Sequence, residues 1–222
     1  MNVASWHVLE LHTPARSCPW LPTGARFVQA GANGAGRAEM PSGDGRWWSV
    51  LARWDSHAAA DAAEDGFDSS LGSAWHVRLE PQSYRGDAVL ADGLTPFDDL
   101  PEAGWVNGPA AVVTLAGLGP DPARTTEFLE RFAVLADDVE GAPGNLASAI
   151  LTPTRGPVLT FTAWERLRSA ITWAYHQPVH AETVARQEQV QIIETSGFLR
   201  CAVVSSTGTL RGRNPLSAVV AA

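Results

Sequence analysis

Residues 47–55 read Trp47-Trp48-Ser49-Val50-Leu51-Ala52-Arg53-Trp54-Asp55, and residues 157–165 read Pro157-Val158-Leu159-Thr160-Phe161-Thr162-Ala163-Trp164-Glu165. Each is an apolar run that closes on tryptophan followed by an acid, and each leads into a helix-favouring stretch with alanines. Each copy then returns through a strand-like segment to Arg-Gly, at Arg85-Gly86 and Arg211-Gly212, and reaches a proline followed by a hydrophobe, at Pro96-Phe97 and Pro215-Leu216. The distance is 31 residues from Trp54 to Arg85 and 47 from Trp164 to Arg211. The extra length falls around Ala174-Tyr175-His176-Gln177-Pro178-Val179-His180-Ala181-Glu182, which holds two of the six histidines. The pattern predicts a duplicated scaffold with a site housed in the second copy.

Periodicity fills in the elements around these anchors. Alternation predicts strands over 3–11, 26–30, 47–53 and 74–79 in the first half, with a helix over 56–64 capped by Ser56. Residues 13–23, with three prolines, read as loop. Residues 84–108 mix Gly, Pro and acids without periodicity and are the best linker between halves. In the second half strands are expected over 110–116, 146–151, 158–163 and 199–205. Pro122 suits the first turn of a helix to about 139, whose Phe128, Leu129, Phe132, Leu135 and Val139 share one side. A helix over 165–175 is interrupted at Pro178, which disfavours helix in Gln177 but suits the first turn of a new one. That last helix is expected to run to Thr195, with Gly197 ending it. The second half thus reads β-α-β-β-α-β, and the first half the same with a degenerate first helix. The fold class expected is α+β: two tandem ferredoxin-like repeats, 1–105 and 106–222, forming a barrel-like unit of the dimeric α/β-barrel type.

Composition narrows the function. The 222-residue chain is 45% apolar with a net charge of −8, and its 16 basic residues are all arginine and dispersed, so nucleic acid is not an expected partner. The absence of lysine follows from coding composition as readily as from function. The longest strongly apolar stretch, 110–118, is too short for a transmembrane segment. Without a basic and apolar leader, and with only Cys18 and Cys201, a reduced cytoplasmic setting is the expectation. Nine tryptophans suit either a large core or a cavity for a flat or greasy ligand.

One ordered set of motifs resembles a known family. It comprises Trp54-Asp55-Ser56 before an Ala-rich helix, Arg85-Gly86 with Pro96-Phe97, Gly108-Pro109-Ala110-Ala111-Val112-Val113-Thr114-Leu115-Ala116, Thr160-Phe161-Thr162-Ala163-Trp164, the 175–182 segment, and Gly208-Thr209-Leu210-Arg211-Gly212-Arg213-Asn214-Pro215-Leu216. Together these look like the spheroidene monooxygenase family, which is similar to the dimeric α/β-barrel group that includes chlorite dismutases, dye-decolorising peroxidases and aldoxime dehydratases. The likeness covers roughly residues 47–216. It implies haem b as cofactor and oxygen insertion into a hydrophobic, carotenoid-like or secondary-metabolite substrate, with an electron donor and self-association as further partner expectations. Two departures bear on the substrate: Glu194-Thr195-Ser196-Gly197-Phe198 stands where the family has a Trp-rich helix ending, and the 32–44 loop is unusually Gly-rich.

The resemblance puts His180 at the family's Pro-His-Ala position, as the iron ligand; a histidine that merely packs in a first helical turn is the bland alternative. His176, four residues earlier, could pair with it on an unbroken helix and chelate a non-haem metal, but Pro178 argues against such a helix. Trp173 and Tyr175 could border a porphyrin or simply pack. Arg186 could meet a propionate or face solvent beside Glu182. Arg53 and His76, on first-half strands, are nominated as distal polar groups on the catalytic side, against the plainer reading of outward strand residues. No nucleophile elbow and no phosphate-binding glycine loop occurs. The expected function is therefore haem-dependent monooxygenation. Haem-assisted dehydration or rearrangement of a nitrogenous substrate is the alternative enzyme, and a haem-free small-molecule-binding protein the alternative class.

Overall fold

A computed structural model describes residues 3–34, 43–90, 93, 95 and 97–220. Pro96 of the first Pro-hydrophobe pair and residues 35–42 of the Gly-rich loop lie outside the described residues. The strands are β1 (Val3–Leu11), β2 (Phe27–Ala32), β3 (Trp47–Trp54), β4 (Gly72–Gly86), β5 (Ala110–Leu118), β6 (Asn145–Leu151), β7 (Val158–Trp164) and β8 (Ile193–Gly208). The helices are α1 (His57–Asp65), α2 (Pro122–Glu140), α3 (Leu167–His176) and α4 (Pro178–Val190). All strand pairs are antiparallel, in the order β2-β3-β1-β4-β8-β5-β7-β6. Each half contributes the ferredoxin-like order and joins the other edge to edge through β4 and β8. The protein is an α+β fold of the dimeric α/β-barrel type.

The two halves match at their anchors. Trp54 ends β3 and pairs with Val3 of β1; Trp164 ends β7 and pairs with Ala110 of β5. Both indoles are buried. The first half has strands and loop, but no described helix, between β1 and β2, as expected for a degenerate copy.

The sheet curls until its two edge strands meet. Ala32 and Thr152 exchange backbone hydrogen bonds of 3.0 and 2.9 Å, and the side-chain amide of Asn33 donates to the Ile150 carbonyl at 3.0 Å. Gly31 permits this approach, because a Cβ there would lie 2.5 Å from the Thr152 carbonyl carbon. Alternation then sends one face of every strand inward. Trp6 and Val8, Leu51, Trp75, Val77 and Leu79, Val113 and Leu115, Phe161, Leu199 and Cys201 form one cluster drawn from both halves. Trp6 stacks on Phe161 at 5.2 Å. Each large side chain so buried contributes about 1.5–3 kcal/mol.

Two elements differ from the sequence reading. The last helix stops at Val190, not Thr195: Gln191 caps it at φ 48°, and Arg124 donates to the carbonyls of Val190 and Gln191. Strand pairing takes the chain from Ile193 onward, since β5 offers a ladder from Leu118 to Ala110, with one register shift between Leu118 and Gly117. Gly197 is therefore inside a strand, where the Tyr84 ring leaves no room for a Cβ. The 84–108 segment is not a solvated connection. Ala88, Leu90 and Phe97 are buried in the barrel cluster with Leu210 and Leu216 from the chain's end.

Candidate functional site between the second-half sheet and its helices

The outward face of each half-sheet is a shelf, and the two shelves differ. By register, Val3 corresponds to Ala110, so His7 corresponds to Thr114 and Ser5 to Val112. His7 pairs across strands with His76, as Thr114 pairs with Phe198. In the first half this position is sealed. His7 and His76 share an Nδ1–Nδ1 hydrogen bond of 2.7 Å, His7 Nε2 bonds Ser5 Oγ at 2.6 Å, and Trp54 Nε1 donates to the same hydroxyl at 2.8 Å. Trp20 meets both imidazoles edge-on and Phe67 covers His76.

In the second half the corresponding position is open. Leu167 and Ile171 of α3 cover Val112 and Ala202, and Phe128 and Phe132 of α2 cover Ala116, Ile150 and Val158. Between them Phe198 is 45% exposed although it stands on the sheet face. Arg200, on the same face two residues on, makes no ion pair among the described residues. Helix α4 packs against α3 and α2 and buries none of its side chains. Its Val179, Thr183 and Arg186 turn toward α2, where Arg186 pairs with Glu127 at 2.7 Å. By helical period His180, Val184 and Gln187 share the next face, and Gln187 reaches the backbone of Ile193 at the start of β8. Val184 on that face is 45% exposed.

His180 lies in the first turn of α4. Its ring lies 4.9 Å from that of Trp173, which lies 6.0 Å from Trp164. Trp173 Nε1 donates to Asp138 Oδ2 at 2.6 Å, and Gln177 donates to the other carboxylate oxygen. Burial holds the His180 pKa below its ordinary value, opposed by the Ala174 carbonyl and the Asp138 carboxylate, so the ring is neutral at pH 7. Two buried nitrogens flanking Trp173 have no hydrogen-bond partner: His180 Nδ1 and Trp164 Nε1. The second follows from the duplication, because Val112 stands where Ser5 accepts from the equivalent Trp54. An unpartnered buried polar atom costs about 1–3 kcal/mol; the Trp164 indole N–H is a donor, and a ring nitrogen of neutral His180 can be donor or acceptor according to its tautomer.

The other nominated residues scatter. His176 is exposed at the end of α3, on the far side of the Gln177–Pro178 break from His180. Among the described residues no three His, Cys, Asp or Glu side chains form a metal-binding group. Tyr175 is 69% exposed. Arg53 points into the barrel mouth, bonded to Asp99 at 2.6 Å and lying over the Phe97 ring. His76 lies on the opposite face of the same half-sheet, in the sealed shelf. Arg53 and His76 thus do not converge with each other. Thr114, Asp138, Phe198 and Arg200 escaped the sequence reading. A threonine breaking the 110–118 apolar run was the one available signal; Phe198 was hidden by placing its segment next to a helix end.

No family model matches the sequence, and a search of curated proteins finds no match. Solved structures do match in fold. An aldoxime dehydratase superposes with a TM-score of 0.62 at 12% identity, over 100% of this chain and 89% of that one. A second, solved in complex with butyraldoxime, gives 0.56 at 9% identity, over 91% and 79%. A candidate monooxygenase of Fusobacterium nucleatum covers 96% of each chain at 10% identity with a TM-score of 0.44. At these identities the likeness establishes the architecture. No described helix is long and apolar enough to cross a membrane.

Proposed function

We propose that the chain is a haem-dependent oxidoreductase acting on a hydrophobic small molecule, with the open second-half shelf as its cofactor site. The observation that carries this reading is the pair of partnerless buried nitrogens, His180 Nδ1 and Trp164 Nε1, beside a shelf that the first half fills with side chains and the second half leaves open. The residues present fit the group. A neutral imidazole is the protonation state that binds iron, Phe198 offers apolar contact to a flat macrocycle, and Arg200, which makes no ion pair among the described residues, is a cation for an acidic substituent. When bound, haem supplies an iron centre for redox or Lewis-acid chemistry. The chain's own part is to hold His180 against Trp173, to keep the shelf apolar around Phe198 and to orient an anionic edge through Arg200. Monooxygenation is the reaction favoured by the motif resemblance.

A second reading is haem-assisted dehydration of a nitrogenous substrate, favoured by the aldoxime dehydratases whose fold this chain shares; it uses the same residues and differs in needing no oxygen. The test is reconstitution of purified protein with haemin. A Soret band that forms with wild type, is lost in His180→Ala and persists in His176→Ala is expected. Equal spectra for wild type and His180→Ala would remove His180 as ligand. Turnover that needs oxygen and is blocked by carbon monoxide supports the monooxygenase, turnover that ignores oxygen supports the dehydratase, and turnover by haem-free protein defeats both.

A further inference from the structure

Helices α3 and α4 meet at a single residue. Gln177 is at once the cap that ends α3 and the cap that begins α4, with φ −75° and ψ 121°, and it offers no side-chain cap to either helix. Pro178 removes one backbone N–H at the joint. Beyond the joint α4 buries no side chain, and its polar bonds to other elements, among them Arg186 to Glu127 and Gln187 to Ile193, lie a turn or more from the elbow. The Gln177 amide is instead held from a third helix, by a carboxylate oxygen of Asp138 on α2; the other oxygen of the same carboxylate takes the Trp173 indole N–H at 2.6 Å. One side chain therefore grips the last turn of α3 and the elbow residue at the same time. His180, three residues past the elbow, rests its ring on the indole so gripped, 4.9 Å centre to centre with planes inclined 59°.

We propose that Asp138 is a positioning residue, which clamps the α3–α4 elbow and thereby fixes the direction of the His180 ring. The clamp belongs to the apo chain; its bearing on cofactor binding rests on the haem reading above. Two-point attachment is the central feature. The Trp173 arm sets the surface on which the imidazole lies, and the Gln177 arm sets where α4 departs. Loss of either arm frees one of these, and loss of the carboxylate frees both.

The test has an apo and a loaded arm. In haem-free protein, amide hydrogen exchange across 177–182 should quicken at least tenfold in Asp138→Ala and less in Trp173→Phe and Gln177→Ala, with β5, β7 and β8 unchanged. Asp138→Asn keeps one carbonyl oxygen as acceptor and should recover part of the protection. In haemin-loaded protein, Asp138→Ala should weaken haem affinity about tenfold and broaden or split the iron–histidine stretch of the ferrous form, as expected of an imidazole with several orientations. Wild-type exchange across 177–182 in Asp138→Ala, or in both single-arm variants should that protein fail to fold, would overturn the clamp. If wild type binds no haem yet Asp138→Ala loosens the elbow, the clamp stands and the haem reading falls.

Discussion

Acidification should destabilise the sealed first-half shelf. His7 is fully buried and His76 keeps only 8% of its surface. Burial lowers both pKa values; His76 lowers that of His7 further, and the nearby Arg78 guanidinium adds to the shift in each case. Arg78 is itself held by Asp61 and Glu64 of α1, at 2.9 and 2.7 Å. For His76 the fall is from 6.5 to about 4. The folded value lies below the unfolded one, so the stability this neutral imidazole permits is complete above pH 6.5. It drains away between 6.5 and about 4 as the unfolded chain takes up a proton that the folded chain refuses. At pH 4.5 a shift of that size removes about 2.5 kcal/mol, since each full unit is worth about 1.4 kcal/mol. His7 adds to the loss in the same direction. The assay is urea unfolding at pH 7.0 and 4.5 for wild type and His76→Gln. Wild type should lose at least about 2 kcal/mol more across that interval than the variant, whose amide does not titrate. Equal losses in the two proteins would refute the reasoning, because the acid sensitivity would then lie elsewhere.

Both thiols should resist alkylation at pH 8: burial raises Cys18 to about 11 and Cys201 further still, so fast labelling of Cys201 in native protein would contradict its place inside the barrel. Asp121→Ala should cost about 1 kcal/mol in thermal or urea unfolding, because Asp121 caps α2 by accepting from the Ala123 N–H at 2.9 Å. Gly31→Val should cost about 1–3 kcal/mol by forcing β2 away from Thr152, with circular dichroism otherwise unchanged. Phe198→Asp should cut haemin affinity at least tenfold without loss of stability, since the ring is 45% exposed; an unchanged affinity would move the cofactor off this shelf.

The architecture was legible in the sequence because its anchors are local. An apolar run ending in Trp54 or Trp164, a prolyl first turn at Pro122 or Pro178, and period-two alternation in β1 are each set by neighbours in the chain. What escaped depended on partners far away. Nothing near Gly197 says that Leu115 will pair with it, so the glycine reads as a helix stop. Nothing near Phe97 or Leu90 says that a barrel mouth needs plugging. The second-half location and His180, on which the proposed site rests, were nominated from the insertion and the motif resemblance. The floor of the site was not, because its defining property is a comparison: Thr114 and Phe198 matter through what His7 and His76 do at the same register. Arg53 and His76 looked alike as polar residues on first-half strands. Strand parity separates them, sending Arg53 inward with Leu51 and His76 outward.

The closure at Ala32 and Thr152 has a consequence for the order in which the chain assembles. It joins residues 120 apart in sequence through two backbone hydrogen bonds and the Asn33 amide. The β4–β8 junction also spans a long separation, but it gains eleven paired positions for it, from Trp75↔Gly208 to Gly86↔Gly197. The entropy of closing a loop grows only slowly with its length, so the junction that returns more contacts per closure forms first. The barrel should therefore exist for a time as an open, curled sheet with β2 and β6 apart. In the finished protein the same seam, closed by so few bonds, should open more readily than the β4–β8 junction. Amide protons of Ala32 and Thr152 should exchange by brief unzipping there, while those along β4 and β8 wait for the whole molecule to unfold.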